Sequence, residues 1–314
     1  MKKVSILIPT YRQPGTIALA VESALAQDYQ NLEVVVCDDA SADGSLDALA
    51  KYADDPRLRV CVNEANLGRV GNYRRSLYER ARGDWVLLLD GDDFLCAPDY
   101  VSRGMSLVEK DSRLVLVYAR IQNLIEGAVE CRDSKPIEER DLRILDGDVL
   151  FFGLPHATPP LYHATCLYDR HLAMKLDFYR SDILSSDWES IHRLVLRGNV
   201  GHIDVVAAVW CRHAGSATGS ASFEQLDFNL QCIFGPYQYA SSLGRFDHRK
   251  LRGWLSAMLY NQARYTLKRV KGARDRRLAW MYYFKIARSS PMAAVRLLGK
   301  PRVLQSLVTG RGSR

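Results

Sequence analysis

Apolar and polar positions in the first hundred residues switch between two periods. Continuous apolar runs occur at VSILI (4–8), LEVVVC (32–37), LRVCV (58–62) and WVLLL (85–89). Runs this short, rich in β-branched residues and closed by Pro, Asp or Asn, read as strands buried on both faces. Between them the spacing becomes helical. Residues 15–27 repeat Ile17, Val21 and Leu25, residues 43–53 (DGSLDALAKYA) read as a helix with an acidic first turn, and 69–81 read as a third helix. This alternation predicts an α/β fold with a parallel sheet covered by helices on both sides.

Beyond residue 100 the pattern is mixed. Residues 114–125 predict one or two strands, 153–160 (GLPHATPP) a loop and 163–169 a further strand. Residues 185–198 predict a helix capped by Ser185 or Ser186, with Ile191, Leu194 and Val195 as its buried stripe and Gly198 at its end. Residues 200–218 predict a strand running into a small-residue loop. From about 224 the chain reads as helical, with Leu255, Met258, Trp280, Tyr283 and Phe284 set among Arg and Lys. We therefore expect an α/β domain over 1–222, in halves of about 1–100 and 100–222, and a basic amphipathic helical region over 223–314.

Charge sharpens that division. The net charge of +7 combines a balance of +16 over residues 245–314 with −9 over the rest. Three readings of the basic, aromatic tail stay open: a packed appendage with a solvated basic face, an interfacial helix pair on anionic lipid, and a nucleic-acid-binding element. No recognised motif accompanies the third, so no nucleic acid is expected. Seven widely spaced cysteines without a C-x-x-C read as buried thiols in a reducing compartment. The N-terminal apolar run stops at Pro9, short of a signal-peptide core, and no apolar window approaches the roughly 18 residues of a membrane span. The expectation is a cytoplasmic chain that does not itself cross a bilayer.

In α/β sheets ligands bind beyond the carboxyl ends of the strands. Here those ends read Pro9-Thr10-Tyr11, Asp38-Asp39-Ala40-Ser41, Asn63 to Gly68, and Asp90-Gly91-Asp92-Asp93. An isolated Asp such as Asp43 or Asp99 is as readily turn chemistry or a helix cap. Three carboxylates in four residues repel unless a cation or strong donors neutralise them. Such a cluster suits Mn²⁺ or Mg²⁺, which take oxygen ligands and leave positions for phosphate oxygens. No P-loop or G-x-G-x-x-G follows the first strand, so phosphate handling falls to that site and to residues elsewhere.

The stretch VSILIPTYRQPGTIALAVESALAQDYQNLEVVVCDDASADGS, then NEANLG, then ARGDWVLLLDGDD, resembles the large inverting family-2 glycosyltransferases of the GT-A fold. The likeness covers residues 2–100 closely and 100–218 more loosely. It implies a Rossmann-like, mostly parallel central sheet flanked by helices, with the basic helices appended. It implies that Asp39 accepts a hydrogen bond from a uracil ring, that Pro9, Thr10 and Tyr11 wall the base, and that Asn66 and Gly68, helped by Arg69 or Asn72, lie near the nucleotide. Asp90-Gly91-Asp92-Asp93 matches the family's D-x-D-D motif. Asp92 is then the first metal candidate, with Asp90 and Asp93 assisting at ribose, diphosphate or metal waters.

The resemblance further places the catalytic base at Asp187, in Ser186-Asp187-Trp188-Glu189, with Arg193 where the family often has Arg. A helix N-terminus keeps such a carboxylate ionised, as a base requires. Ser186 stands where the family has Glu, which leaves Glu189 as a substitute base; His192 on the same helix reads as structural. Cys211-Arg212-His213 resembles the R-H-x-x-S loop that closes over the diphosphate, with an ordinary surface pair as the alternative. The implied activity is metal-dependent, inverting transfer of a sugar from a nucleotide sugar, UDP-linked, to a hydroxyl of a lipid-linked or cell-surface glycan precursor. The implied location is the cytoplasm, or peripheral attachment at the cytosolic face of the inner membrane. Two other readings stay open: an inactive nucleotide-sugar-binding scaffold, and a nucleic-acid binder acting through the tail.

Overall fold

The computed structural model describes residues 1–125, 137–156, 161–212, 221–268 and 272–309. Strands β1 (Val4–Thr10), β2 (Leu32–Asp38), β3 (Leu58–Val62) and β4 (Trp85–Leu88) lie where the apolar runs place them. They are connected through α1 (Ile17–Leu25), a 3-10 turn (Asp47–Tyr52), and α2 (Gly68–Arg75) with its π-turn (Ser76–Arg80). There follow β5 (Phe94–Leu95), α3 (Tyr100–Lys110), β6 (Leu114–Ile125), β7 (Leu142–Asp146), α4 (Gly147–Gly153), β8 (Leu167–Asp169), α5 (Arg170–Lys175), α6 (Ser186–Leu194) and β9 (Asn199–Arg212).

These strands form one sheet in the order β3-β2-β1-β4-β8-β6-β9-β5, with β7 also on β9. β3, β2, β1 and β4 run parallel, as does the β6/β9 pair. The other pairings are antiparallel, so the sheet is mixed beyond β4. Every residue of β1 and β2 is buried. Ile6, Ile8, Val34, Val36 and Leu87 pack with Ile17 and Val21 of α1 and with Tyr100 and Met105 of α3. On the opposite side α2 is tied to β2 by Asn72, whose Nδ2 donates to the Cys37 carbonyl at 2.8 Å. Each such apolar side chain contributes roughly 1.5–3 kcal/mol when buried, which fixes β1 and β2 in the middle of a covered sheet.

Three local expectations change. The helix expected over 43–53 is a 3-10 turn confined to Asp47–Tyr52. Its first residues form an Asx turn instead: Asp43 Oδ1 accepts from the Ser45 amide at 3.0 Å and from the Ser45 hydroxyl. The strand expected over 163–169 keeps only Leu167–Asp169, because His163–Thr165 close a 3-10 turn. Of the two candidate caps of α6, the Ser186 hydroxyl has no hydrogen-bond partner. The Ser185 hydroxyl accepts from Asn229 Nδ2 at 3.0 Å, while Ser186 is buried as the first helical residue. The helix does bury Ile191 and Leu194, and Val195 begins the 3-10 turn that extends it.

By packing, the chain forms two compact units: Met1–Phe151, Pro159–Asp182 and Ser186–His213; and Phe152–Thr158, Ile183–Ser185 and Ala214–Arg314. The second contains α7 (Phe223–Phe228), α8 (Gln231–Ser242), α9 (His248–Leu267), α10 (Gly272–Ser289), α11 (Pro291–Leu298) and α12 (Pro301–Thr309). Leu251, Leu255 and Leu259 of α9, Tyr282 and Ile286 of α10, Leu297 of α11 and Leu307 of α12 are all buried. Among the described residues no helix is long and apolar enough to cross a membrane.

Candidate active site

The carboxyl ends of β1, β2 and β4 are stitched to one another through the backbone. The Asp39 amide donates to the Thr10 carbonyl at 3.0 Å, and the Gly91 amide to the Pro9 carbonyl at 3.3 Å. Tyr11, 41% exposed, follows at the rim with the Arg12 guanidinium 5.0 Å from its ring. The adjacent aspartates at the end of β2 have opposite tasks. Asp38 accepts from the Ser41 amide at 3.0 Å and from its hydroxyl, closing the loop on itself. Asp39 reaches the next strand: its Oδ1 accepts from Asn63 Nδ2 and from the Leu67 amide, both at 2.9 Å. Neither bond uses Oδ2.

Asn66 and Gly68 shape the entry to α2. Asn66 Nδ2 donates to the Asp39 carbonyl at 3.2 Å, and its Oδ1 accepts from the Gly68 amide at 3.0 Å. Gly68 has φ +75°, a left-handed conformation that strains any side chain. Asn72 turns inward. Besides its bond to β2, its Oδ1 accepts from Asn63 at 3.1 Å, so both halves of its amide serve the scaffold.

The turn after β4 is closed by the Asp93 amide donating to the Asp90 carbonyl at 2.9 Å. Gly91 leaves room there for Thr10 and Gln13, since a Cβ would lie 3.1 Å from Thr10 Oγ1 and 2.5 Å from Gln13 Oε1. The three carboxylates then diverge. Asp90 accepts from the Tyr73 hydroxyl at 2.5 Å. Asp93, 5% exposed, accepts from the Cys211 amide at 2.9 Å and pins the loop to β9. Asp92 stays half-buried between them. Burial, reinforced by Asp92 and Asp90, pushes the Asp93 carboxyl well above the ordinary range. Burial also raises Asp90, with Asp92 adding to the effect while His163 and Tyr73 oppose it.

The repulsion expected from the sequence is therefore only partly relieved by protein donors. A hard divalent cation fits this all-oxygen, excess-negative loop. Among the described residues no group of three His, Cys, Asp or Glu side chains is arranged to hold a metal by itself. A cation here would draw its remaining ligands from water and from the diphosphate.

Asp187 lies half-buried in the first turn of α6. Arg69, from the first turn of α2, lies within electrostatic reach of both Asp187 and the D-x-D-D loop. Burial alone would lower the Arg69 pKa, but Tyr73, Asp187 and Asp90 together raise it above the ordinary value. One guanidinium thus feels both the carboxylate of α6 and that of the β4 turn. Glu189 is removed as a substitute base. It is 2% exposed, its Oε1 accepts from Arg180 Nε and Nη2 at 3.1 and 2.6 Å, and its Oε2 accepts from Arg193 Nη2 at 2.7 Å. Arg193, also 2% exposed, in turn donates to the carbonyls of Leu176 and Asp177.

The structure adds three residues that sequence reasoning missed. Tyr73, His163 and Tyr179 cluster beside Asp90, with the Tyr73 ring 5.5 Å from each of the other two. The Tyr179 hydroxyl bonds His163 Nε2 at 2.9 Å and the Tyr168 hydroxyl at 3.1 Å, and its backbone adopts φ +57°. Only the Pro/His-rich loop before His163 gave any trace of this cluster; the strained tyrosine had none. Arg212 ends β9 directly after Cys211, next to the point held by Asp93. His213 lies outside the described residues.

His192 is structural, as expected. It is 3% exposed, packs on Trp188 with ring centroids 5.8 Å apart, has an unpartnered Nδ1, and is pushed by burial down to about 3. The unfolded imidazole takes its proton near pH 6.5 and the folded one does not. Its contribution is therefore complete above about pH 6.5 and is lost, at about 1.4 kcal/mol per pH unit, as pH falls toward 3. Urea midpoints should fall more steeply with acid in the native chain than in His192→Leu. Parallel slopes would refute a buried neutral imidazole. The comparison also cancels the raised carboxyls, whose effect has the opposite sign.

A family model described as Glycosyl transferase family 2 matches residues 5–173, more than half of the chain. The succinoglycan biosynthesis protein ExoO of Rhizobium meliloti is 41% identical over 139 residues, covering 44% of this chain and 38% of that protein. The chain spans well under two thirds of the curated relatives it matches, 17% to 39% of their length in three of them. Among solved structures, S. aureus TarS 1–349 in complex with UDP-GlcNAc aligns over 99% of this chain and 93% of its own, with a TM-score of 0.60 and 17% identity. The mannosyltransferase PcManGT of Pyrobaculum calidifontis, in complex with GDP-Man and Mn²⁺, aligns over 98% and 82% with a TM-score of 0.53 and 18% identity.

Proposed function

The chain belongs to glycosyl transferase family 2 and has the GT-A fold, and on that premise we propose that it transfers one sugar, with inversion, from a nucleotide sugar to an acceptor hydroxyl. The observation that carries this reading is that the Arg69 guanidinium, in the first turn of α2, feels the carboxylates of both Asp187 on α6 and Asp90 at the β4 turn. It supports a base and a donor-phosphate region that act together. Asp187 accepts the proton of the acceptor hydroxyl as its oxygen attacks the anomeric carbon, and the nucleoside diphosphate leaves from the opposite face.

Asp39 receives the uracil N–H, for which Oδ2 is the oxygen left by its scaffold bonds. Pro9, Thr10 and Tyr11 wall the base, and Asn66 and Gly68 hold the loop beside it. Arg69, Arg212 and His213 donate to phosphate oxygens. Asp92 would be the first ligand of Mn²⁺ or Mg²⁺, with Asp90 and Asp93 assisting directly or through metal waters, while Asp90 and Gly91 border the ribose and diphosphate. The cation, when bound, neutralises the diphosphate and makes it a better leaving group.

TarS with UDP-GlcNAc and PcManGT with Mn²⁺ share this fold and support a uridine donor and a divalent cation. ExoO, named for succinoglycan biosynthesis, supports a glycan precursor as acceptor, which we take to be lipid-linked or cell-surface. We assign catalysis to residues 1–222, donor side about 1–100 and acceptor side about 100–222, and a separate helical role to 223–314. The six described cysteines are free thiols, which fits a cytoplasmic setting. A panel of nucleotide sugars tests the reading: UDP-sugars should raise the melting temperature more with Mn²⁺ than without, and the product should carry the inverted anomeric configuration by NMR. A retained configuration, or no stabilisation by any nucleotide sugar, would falsify it.

A further inference from the structure

The last three helices combine two properties that rarely share a free surface. From Arg276 to Thr309 the chain has seven Lys or Arg and no Asp or Glu. Yet Met281 and Phe284 of α10, Met292 and Val295 of α11 and Val308 of α12 stand 56% to 70% exposed. On α10 they belong to the stripe Arg277, Met281, Phe284, Arg288, spaced i, i+4, i+7, i+11, in which every residue is exposed. The opposite side of the same helix is already occupied, since Ala279, Tyr282, Tyr283 and Ile286 are buried. The outer stripe is therefore not needed for folding. Met281 and Phe284 also meet Val308 in an open groove of about 490 Å³ edged by Arg276 and Arg277. Trp280 also lines the groove, and its indole N–H donates to the Leu307 carbonyl at 3.0 Å.

We propose that the outer faces of α10, α11 and α12 dock the chain on the surface of an anionic phospholipid bilayer. Aliphatic and aromatic side chains enter the boundary below the headgroups, while guanidinium and ammonium groups meet lipid phosphates. No described helix is able to span a bilayer, so the attachment is peripheral. A second copy of the chain fits the patch less well, because pairing like surfaces would oppose two sets of cations without an anion. Nucleic acid would engage the cations but leave Met281, Phe284 and Val308 in water. The inference deepens the lipid-linked-acceptor reading and takes its purpose from it, but its test needs neither donor nor acceptor.

The full chain is floated with vesicles of phosphatidylcholine alone and with vesicles also containing phosphatidylglycerol. It should rise only with the second. Arg277→Gln combined with Arg288→Gln should lower the partition coefficient roughly thirtyfold, the scale of two basic charges at such a surface. Met281→Ser combined with Phe284→Ser should lower binding even in salt that screens the charges. All four side chains are exposed, so both variants should melt with the native chain. Equal binding to neutral vesicles, or undiminished binding by both variants, overturns the proposal. So does a gel shift with nucleic acid in the absence of flotation, or a dimer that Phe284→Ser dissociates while vesicle binding is unchanged. Loss of transfer with flotation intact would count against the proposed function and not against this surface.

Discussion

Asp187→Asn is expected to lower kcat by roughly 10²–10⁴-fold, the usual contribution of a positioned general base, with donor binding retained. The substitution is isosteric, and losing one carboxylate near a helix N-terminus costs only about 0.3–1 kcal/mol. What it removes is the ability to take a proton from the acceptor hydroxyl. Arg69 loses one of the carboxylates that raise its pKa, but Tyr73 and Asp90 remain. The measurement is steady-state transfer together with nucleotide-induced thermal stabilisation of the same preparation. Loss of turnover with stabilisation intact identifies the base. Near-normal turnover would remove Asp187 from that role.

The largest stability effect should come two residues later. Glu189→Ala deletes the partner of Arg193, which is itself 2% exposed, and leaves a charge buried without compensation. Breaking a buried pair in this way costs about 3–5 kcal/mol, and the urea midpoint should fall accordingly. Arg180→Ala, which removes the partner that is 39% exposed, should cost far less. The two carboxylates of α6 thus make opposite predictions. Asp187→Asn changes rate and spares stability, whereas Glu189→Ala changes stability first. A Glu189→Ala chain as stable as the native one but unable to transfer sugar would reverse the assignment.

The first half of the sheet was legible because β1, β2 and β4 are buried on both faces. A strand of that kind is nearly continuously apolar, and such runs are visible without knowing their neighbours. β3, at the sheet edge, has no buried residue, contrary to its apolar run, and Val60 and Val62 are exposed. The site was legible to the same depth. Once four strands end on one rim, the residues that follow them have to meet: Asn63 and Asn66 bond Asp39, and the Gly91 amide bonds the Pro9 carbonyl. β5 escaped notice for the converse reason. It has two residues, and it exists because Phe94 and Leu95 find Val209 and Ala208 on β9. The parallel sheet inferred from the first hundred residues became mixed where β8 entered between β4 and β6.

The sequence by itself determined the elements and the chemistry available at their ends: an apolar strand, then DD, NEANLG or DGDD. Those signals are local, carried by residues within one turn or one strand of each other. Only the tertiary structure decided how each ionisable group is used. Asp38 and Asp39 are neighbours in the chain, but one closes its own loop and the other joins β2 to the entry of α2. Asp93 finds its donor 118 residues away, at Cys211. Glu189 looked like a second base and is held by two arginines, while Tyr73, His163 and Tyr179 looked like nothing and flank Asp90. A buried polar group is governed by the partners that replace its water, and here those partners come from strands and helices distant in sequence.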